Sequence, residues 1–164
     1  MLEGIKKLHF VGIGGVGMSA IAEVMLDKGY EISGSDLSES AVVKHLKAKG
    51  ATIYKGHDAL NVEGKEALVL SSAIHQDNPE LVAAKAKGLK LFHRSDILAY
   101  LLNDAKGIAV AGAHGKTTTS SMISVVLEHA KVDPTILIGG FVDYLKGNAK
   151  LGKSDYLVAE ADES

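Results

Sequence analysis

The residues best suited to chemistry lie between Gly112 and Thr119, which reads Gly-Ala-His-Gly-Lys-Thr-Thr-Thr. The apolar run Gly107-Ile-Ala-Val-Ala111 leads into it, and a helical pattern leads out, with Met122, Ile123, Val126, Leu127 and Ala130 on one face. Strand, glycine loop, Lys-Thr and helix in that order cradle phosphate, because backbone N–H groups at the helix start point at the anion. In this pattern Gly112, Ala113, His114, Gly115 and Thr118 line the cradle, Lys116 reaches the β- and γ-phosphates, and the Thr117 hydroxyl sits on Mg²⁺. The stretch therefore reads as an ATP loop, and the chain before it is expected to hold what ATP acts on.

A second glycine loop comes earlier. Leu8–Val11 is a short apolar strand, followed by Gly12-Ile-Gly14-Gly15-Val-Gly17-Met18, in which Gly12, Gly14 and Gly17 keep the spacing G-x-G-x-x-G. Ala20, Ile21, Val24 and Met25 share the next helical face, and Gly29 stops it. Glu31–Ser35 is a second strand ending in Asp36, 19 positions beyond Gly17. This is a βαβ unit with an acidic residue where a dinucleotide fold places one. The loop alone leaves three readings open: a dinucleotide, another diphosphate, or tight packing only.

The elements that position these loops follow by alternation. A helix is expected from Ser38 to about Lys49, strands at Ala51–Tyr54 and Ala67–Ser71, and a helix opened by Asn78-Pro79 running to about Lys87. Leu89–Phe92 is a fifth strand, and Ile97, Leu98, Leu101 and Leu102 mark a further helix. This order predicts an α/β fold with a Rossmann-like parallel sheet covered on both faces. From Gly107 a second unit begins, with a helix to about Ala130, a strand at Thr135–Ile138 broken by Gly139-Gly140, and a strand at Tyr156–Ala159. The expected domains are residues 1–104 and the start of a P-loop ATPase domain at 105–164.

Composition narrows the classes. The chain has 164 residues, a net charge of -2 and no cysteine, which excludes disulfides and thiolate metal sites and gives no sign of a nucleic-acid partner. No apolar run approaches the roughly 20 residues of a membrane span, and the N-terminus lacks the pattern of a secretion signal. A cytoplasmic protein is expected.

Taken together, the segments His9–Ser19, Ser33-Gly-Ser-Asp-Leu37, Ser71-Ser-Ala-Ile74, Ala111–Thr119 and Ala159-Glu-Ala-Asp-Glu-Ser164 closely resemble the Mur ligases of bacterial cell-wall synthesis. Within that family the likeness is strongest to the members that add L-alanine to UDP-N-acetylmuramate. The resemblance covers the whole chain, running through the family's first domain and part of its central ATPase domain. It implies that the first loop, Gly12, Ile13, Gly14, Gly15, Val16, Gly17 and Met18, wraps the diphosphate of a UDP-sugar. Asp36, Ser71 and Ser72 would lie near the uridine or the phosphates, Arg94 would be a phosphate partner, and His57 a weaker candidate for the uridine pocket. The remaining histidines are expected to be solvated.

Two departures bear on the likeness. Val110 stands where the strict phosphate loop has glycine, which fits the family's shorter form opening at Gly112. Ala113 stands where the family usually has threonine, so tuned affinity is expected. The implied reaction joins a carboxylate and an amine through an acyl phosphate, with UDP-N-acetylmuramate and L-alanine as substrates and ATP and Mg²⁺ required. Lys116 would stabilise the transferring phosphoryl group, and Thr117 and Glu160 would hold Mg²⁺. Glu160 is chosen over Asp162 and Glu163 because it directly follows an apolar strand. Residues 1–164 alone are not expected to ligate, and the shortened second domain is expected to favour self-association. Two other classes remain as alternatives: an NAD(P)-binding oxidoreductase built on Gly12–Gly17 and Asp36, and a non-catalytic nucleotide-binding module.

Overall fold

A computed structural model describes residues 1–161. The chain divides into two compact units, Met1–Asp96 and Ile97–Ser164.

In the first unit, strands β1 (Lys7–Val11), β2 (Glu31–Asp36), β3 (Thr52–Lys55), β4 (Ala67–Leu70) and β5 (Lys90–His93) form one parallel sheet in the order β3-β2-β1-β4-β5. Helices α1 (Val16–Asp27), α2 (Ala41–Ala48) and α3 (Pro79–Ala86) make the crossovers, and α4 (Arg94–Asn103) starts after β5 and continues into the second unit. The central strand carries Leu8, His9, Phe10 and Val11, all buried, as a parallel strand covered on both faces requires. On one face Val11 and Leu68 pack with Val62 of a 3₁₀ turn (Ala59–Val62) and with Leu81 and Ala84 of α3. The expected Rossmann-like parallel sheet is present, and its order reverses between β1 and β4. Such a reversal is where open α/β sheets take ligands, at the carboxyl ends of the strands.

Local chemistry sets the helix starts. Asn78 Oδ1 accepts from the N–H groups of Glu80 and Leu81 at 2.9 and 3.3 Å, and Pro79 takes the first helical position. Ser40 caps α2 by accepting from Val43 N at 3.3 Å. Helix α2 is therefore shorter than the predicted Ser38–Lys49, because the Ser38 N–H is already held by Asp36 Oδ1 at 3.0 Å.

In the second unit, β6 (Lys106–Val110), β9 (Tyr156–Glu160) and β7 (Thr135–Val142) run parallel, and β8 (Gly147–Lys150) pairs antiparallel with β7. Helix α5 (Lys116–His129) connects β6 to β7.

Two expectations fail here for physical reasons. Gly139-Gly140 does not end the strand, which continues to Val142, although its pairing with β8 shifts register between Leu137 and Val142. A Cβ at Gly139 would collide with the Glu160 carboxylate, and one at Gly140 would lie 3.4 Å from Thr117 Cγ2. These glycines are where side chains from β9 and α5 crowd the strand. The apolar stripe of α5 also faces inward only in part: Ile123 and Leu127 are half-buried, but Met122 and Val126 are 63% and 66% exposed, while Ser120 and Ser124 are fully buried. Their hydroxyls donate to the carbonyls of Lys116 and Ser120, both at 2.7 Å, so they enter the interior already satisfied.

Candidate functional site

The first loop begins where β1 ends. Gly12 N and Ile13 N both donate to Ser35 O, at 2.8 and 3.0 Å, tying the loop to the end of β2. Gly12 has φ +73°, a conformation a side chain disfavours. Gly14 N donates to Asp36 Oδ2 at 2.8 Å. The other Asp36 oxygen accepts from Ser38 N at 3.0 Å and Ser38 Oγ at 3.2 Å. Asp36 thus shapes the loop directly. Helix α1 opens at Gly15 with no side-chain cap, which suits an anion at its N-terminus.

The other residues singled out in this unit converge on the same edge. Ile74, in the turn that includes Ser71 and Ser72, lies 3.6 Å from where a Gly12 Cβ would stand. Gly17 in the first turn of α1 leaves the space that the Arg94 guanidinium fills, so a side chain there would overlap it. Loop Gly12–Met18, Asp36, Ser71, Ser72 and Arg94 therefore gather at the carboxyl ends of the strands.

The second loop is equally local in its logic. Gly115 has φ +77° and opens α5 without a side-chain cap. Lys116 Nζ donates to Gly112 O at 2.6 Å, so the ammonium lies across the loop. Residues Gly112 to Gly115 are exposed, as are Thr117 and Thr118. Glu160, at the end of β9, has a buried Oε1 with no hydrogen-bond partner among the described residues. A buried, unsatisfied carboxylate oxygen is costly in isolation. The Glu160 carboxylate lies over Gly139 with its other oxygen, Oε2, nearest, while Thr117 lies against the adjacent Gly140. A hard cation between them would satisfy Oε1, and the hydroxyl–carboxylate donor set suits Mg²⁺. Among the described residues no group of three or more His, Asp or Glu side chains could hold a metal. Asp162 and Glu163 lie outside the described residues.

A buried polar network escaped sequence reasoning. His9, expected to be solvated, is fully buried, as is Glu80. Glu80 Oε1 accepts from Asn61 Nδ2 at 2.7 Å and lies 3.2 Å from His9 Nε2. Glu80 Oε2 accepts from Ser35 Oγ at 2.6 Å and lies 2.9 Å from His57 Nδ1. His9 Nδ1 is 2.9 Å from Ser33 Oγ. The only sequence signal was a histidine inside an apolar strand and a glutamate in a helix first turn. Both types usually face water, and the pairing partner comes from 71 residues away.

Burial alone would raise the Glu80 carboxyl. Hydrogen bonds from His9, Ser35 and Asn61, with the His9 charge, outweigh burial and lower it from 4.5 to about 2. A carboxylate depressed on folding stabilises the fold above its unfolded value, and that contribution is lost as pH falls through the folded one. Between pH 4.5 and about 2 the first unit is therefore expected to lose on the order of 3 kcal/mol from this group. Acid unfolding followed by circular dichroism should show that loss in the wild type and a flatter response in Glu80→Gln.

Residues 7–120 match the model of the Mur ligase family, catalytic domain. The UDP-N-acetylmuramate–L-alanine ligase of Hydrogenobaculum sp. (strain Y04AAS1) is 57% identical over 162 residues, covering 99% of this chain and 36% of that protein. The ligase of the same name from Azoarcus sp. (strain BH72) is 52% identical over 164 residues, 100% of this chain and 35% of that protein. The crystal structure of the UDP-N-acetylmuramate–alanine ligase of Thermotoga maritima superposes with a TM-score of 0.84 at 33% identity, covering 94% of this chain and 37% of that one. The UDP-N-acetylmuramate:L-alanyl-gamma-D-glutamyl-meso-diaminopimelate ligase from Neisseria meningitides gives 0.89 at 31% identity, covering 98% and 53%. The chain spans about a third of the length of the sequence relatives named here.

Proposed function

The chain belongs to the Mur ligase family, and on that premise we propose that it forms the sugar-nucleotide and ATP sites of a ligase joining L-alanine to the lactyl carboxylate of UDP-N-acetylmuramate. Residues 1–104 are assigned to the sugar nucleotide and 105–164 to ATP. Supporting this reading are two glycine loops in one chain, each opening a helix that no side chain caps. An oxidoreductase reading leaves the second loop without a purpose. A location in the cytoplasm is part of the proposal. Among the described residues, no helix is long and apolar enough to cross a membrane.

When bound, Mg²⁺·ATP supplies the phosphoryl group that converts a poor electrophile, the carboxylate, into an acyl phosphate with a good leaving group. The work of the chain's own residues is positioning and charge neutralisation. Gly12–Met18 and Arg94 would hold the diphosphate of the sugar nucleotide, with Ser71 and Ser72 beside it and Asp36 fixing the loop. Gly112–Gly115 and Thr118 would hold the ATP phosphates through backbone N–H groups and the start of α5. Lys116 would leave Gly112 O for the phosphates. Thr117 and Glu160 would take Mg²⁺. The exposed Met122, Val125 and Val126 on α5 support self-association of this stretch.

Amide-resolved NMR titration tests the reading. UDP-N-acetylmuramate is expected to perturb Gly12–Met18, and an ATP analogue with Mg²⁺ to perturb Gly112–Thr118. Binding of NADH without binding of the sugar nucleotide would overturn it.

A further inference from the structure

Glu80 enters the interior from the first turn of α3, where Asn78 Oδ1 holds its N–H at 2.9 Å. Its carboxylate is fully buried and is met by four polar side chains from other segments. Oε1 accepts from Asn61 Nδ2 of the 3₁₀ turn at 2.7 Å and faces His9 Nε2 of β1 at 3.2 Å. Oε2 accepts from Ser35 Oγ of β2 at 2.6 Å and faces Nδ1 of His57, which follows β3, at 2.9 Å. An ionised carboxylate only accepts hydrogen bonds, so both ring nitrogens facing it carry hydrogen. One side chain thus ties α3 to β1, to β2, to the segment after β3 and to the 3₁₀ turn.

Stability alone is a poor reason for a charge in this place. Apolar side chains of similar volume hold buried segments together about as well. What a carboxylate adds is direction, because each bond fixes where its partner points. The partner that matters is Ser35. Its hydroxyl is held by Glu80, and its carbonyl accepts from Gly12 N and Ile13 N at 2.8 and 3.0 Å. The next residue, Asp36, takes Gly14 N through its side chain at 2.8 Å. Three successive amides of the first glycine loop therefore hang on Ser35-Asp36, and Ser35 is held in turn by α3. A second contact from the same part of the chain agrees. Ile74, ahead of α3, lies 3.6 Å from where a Gly12 Cβ would stand.

We propose that Glu80 is a positioning residue for the first glycine loop: by fixing Ser35 it sets the carbonyl on which Gly12 and Ile13 hang, and with it the seat of the diphosphate. Glu80 touches no ligand itself. That the loop seats a diphosphate rests on the sugar-nucleotide reading above; that Glu80 places the loop does not. A loop that meets phosphate through backbone groups has no long side chain with which to correct an error of position. Its accuracy comes from the residues behind it.

Native-state hydrogen exchange read by NMR, together with titration of UDP into the full chain, tests this. In Glu80→Gln the amide oxygen faces Asn61 and His9 and the NH₂ faces Ser35 and His57, so the bond donated by the Ser35 hydroxyl is lost while the shape is kept. The Gly12 and Ile13 amides are expected to exchange about 10-fold faster relative to that of Phe10 in β1, and UDP to bind about 10-fold more weakly. Ser35→Ala removes the hydroxyl and keeps the carbonyl, and is expected to have the same effects. The double variant should lose no more than either single one, because Glu80 acts through Ser35. A merely structural role would speed exchange at Phe10 and in the loop alike, and the two losses would add. If Glu80→Gln does not fold, Ser35→Ala carries the exchange test. An unchanged ratio of Gly12 and Ile13 exchange to Phe10 exchange in either variant, or additive losses in the double variant, would overturn this inference alone. Failure of wild type to bind UDP would overturn the sugar-nucleotide reading, while the exchange ratios would still decide whether Glu80 places the loop.

Discussion

Alanine at Gly34 is expected to destabilise the first unit by about 3 kcal/mol and to weaken sugar-nucleotide binding in whatever folds. Gly34 lies mid-way along β2, opposite Phe10 of β1. A Cβ there would stand 2.6 Å from Ile13 Cδ1, 2.7 Å from Ile13 Cβ and 2.8 Å from Phe10 O. One of those neighbours is backbone in the central strand and cannot move cheaply. The other is a fully buried side chain within the glycine loop. The loop is therefore seated on the strand through Ile13, and crowding position 34 lifts the residue between Gly12 and Gly14. Urea denaturation measures the first effect and calorimetric titration with UDP-N-acetylmuramate the second. An unchanged denaturation midpoint in Gly34→Ala would show that this packing is not as tight as the distances state.

Glu160→Gln is expected to move two measurements in opposite directions. Without metal, the variant should be more stable than wild type, because it removes the charge from a carboxylate whose Oε1 is buried with no partner among the described residues. With Mg²⁺, its affinity for an ATP analogue should fall about 100-fold, because a neutral amide is a poor ligand for a hard cation. Gly139→Ala should reproduce the second effect by displacing the carboxylate, which occupies the space a Cβ would need. Thermal unfolding and titration, each with Mg²⁺ and with EDTA, read both signs. A Glu160→Gln variant less stable than wild type in EDTA would sink the assignment of Glu160 as a cation ligand. The opposition of signs is the usual mark of a residue kept for function at the expense of the fold.

Much of this was legible in the sequence, because it was local. Strand, glycine loop and helix are contiguous in both units, so spacing alone located Gly12–Met18 and Gly112–Thr118. The start of α3 was also written in Asn78-Pro79. What was not legible depended on contacts between distant residues. Gly139-Gly140 reads as a strand break until the carboxylate from β9 is seen to need the room. His9 reads as a solvated histidine because nothing near it announces Glu80. On α5 the apolar residues outvoted the serines, since hydropathy counts a hydroxyl as polar even when it is closed onto its own helix. Position 57 carried a hint only through likeness to a family. Its support came from three separate segments, at Ser35, Asn61 and Glu80.

The bond from Lys116 to Gly112 O has a consequence for which ligands the second loop admits. It closes the loop into a ring, with a cation parked on a carbonyl dipole. A flexible lysine ordinarily loses about 2 kcal/mol of rotamer freedom when fixed, and part of that loss has already occurred before any ligand arrives. Entry is then an exchange of partners for one ammonium group. A neutral molecule offers it nothing better than the carbonyl it leaves, whereas a polyphosphate offers full negative charge. On the proposed ATP reading, the loop would select its visitor by charge as well as by shape.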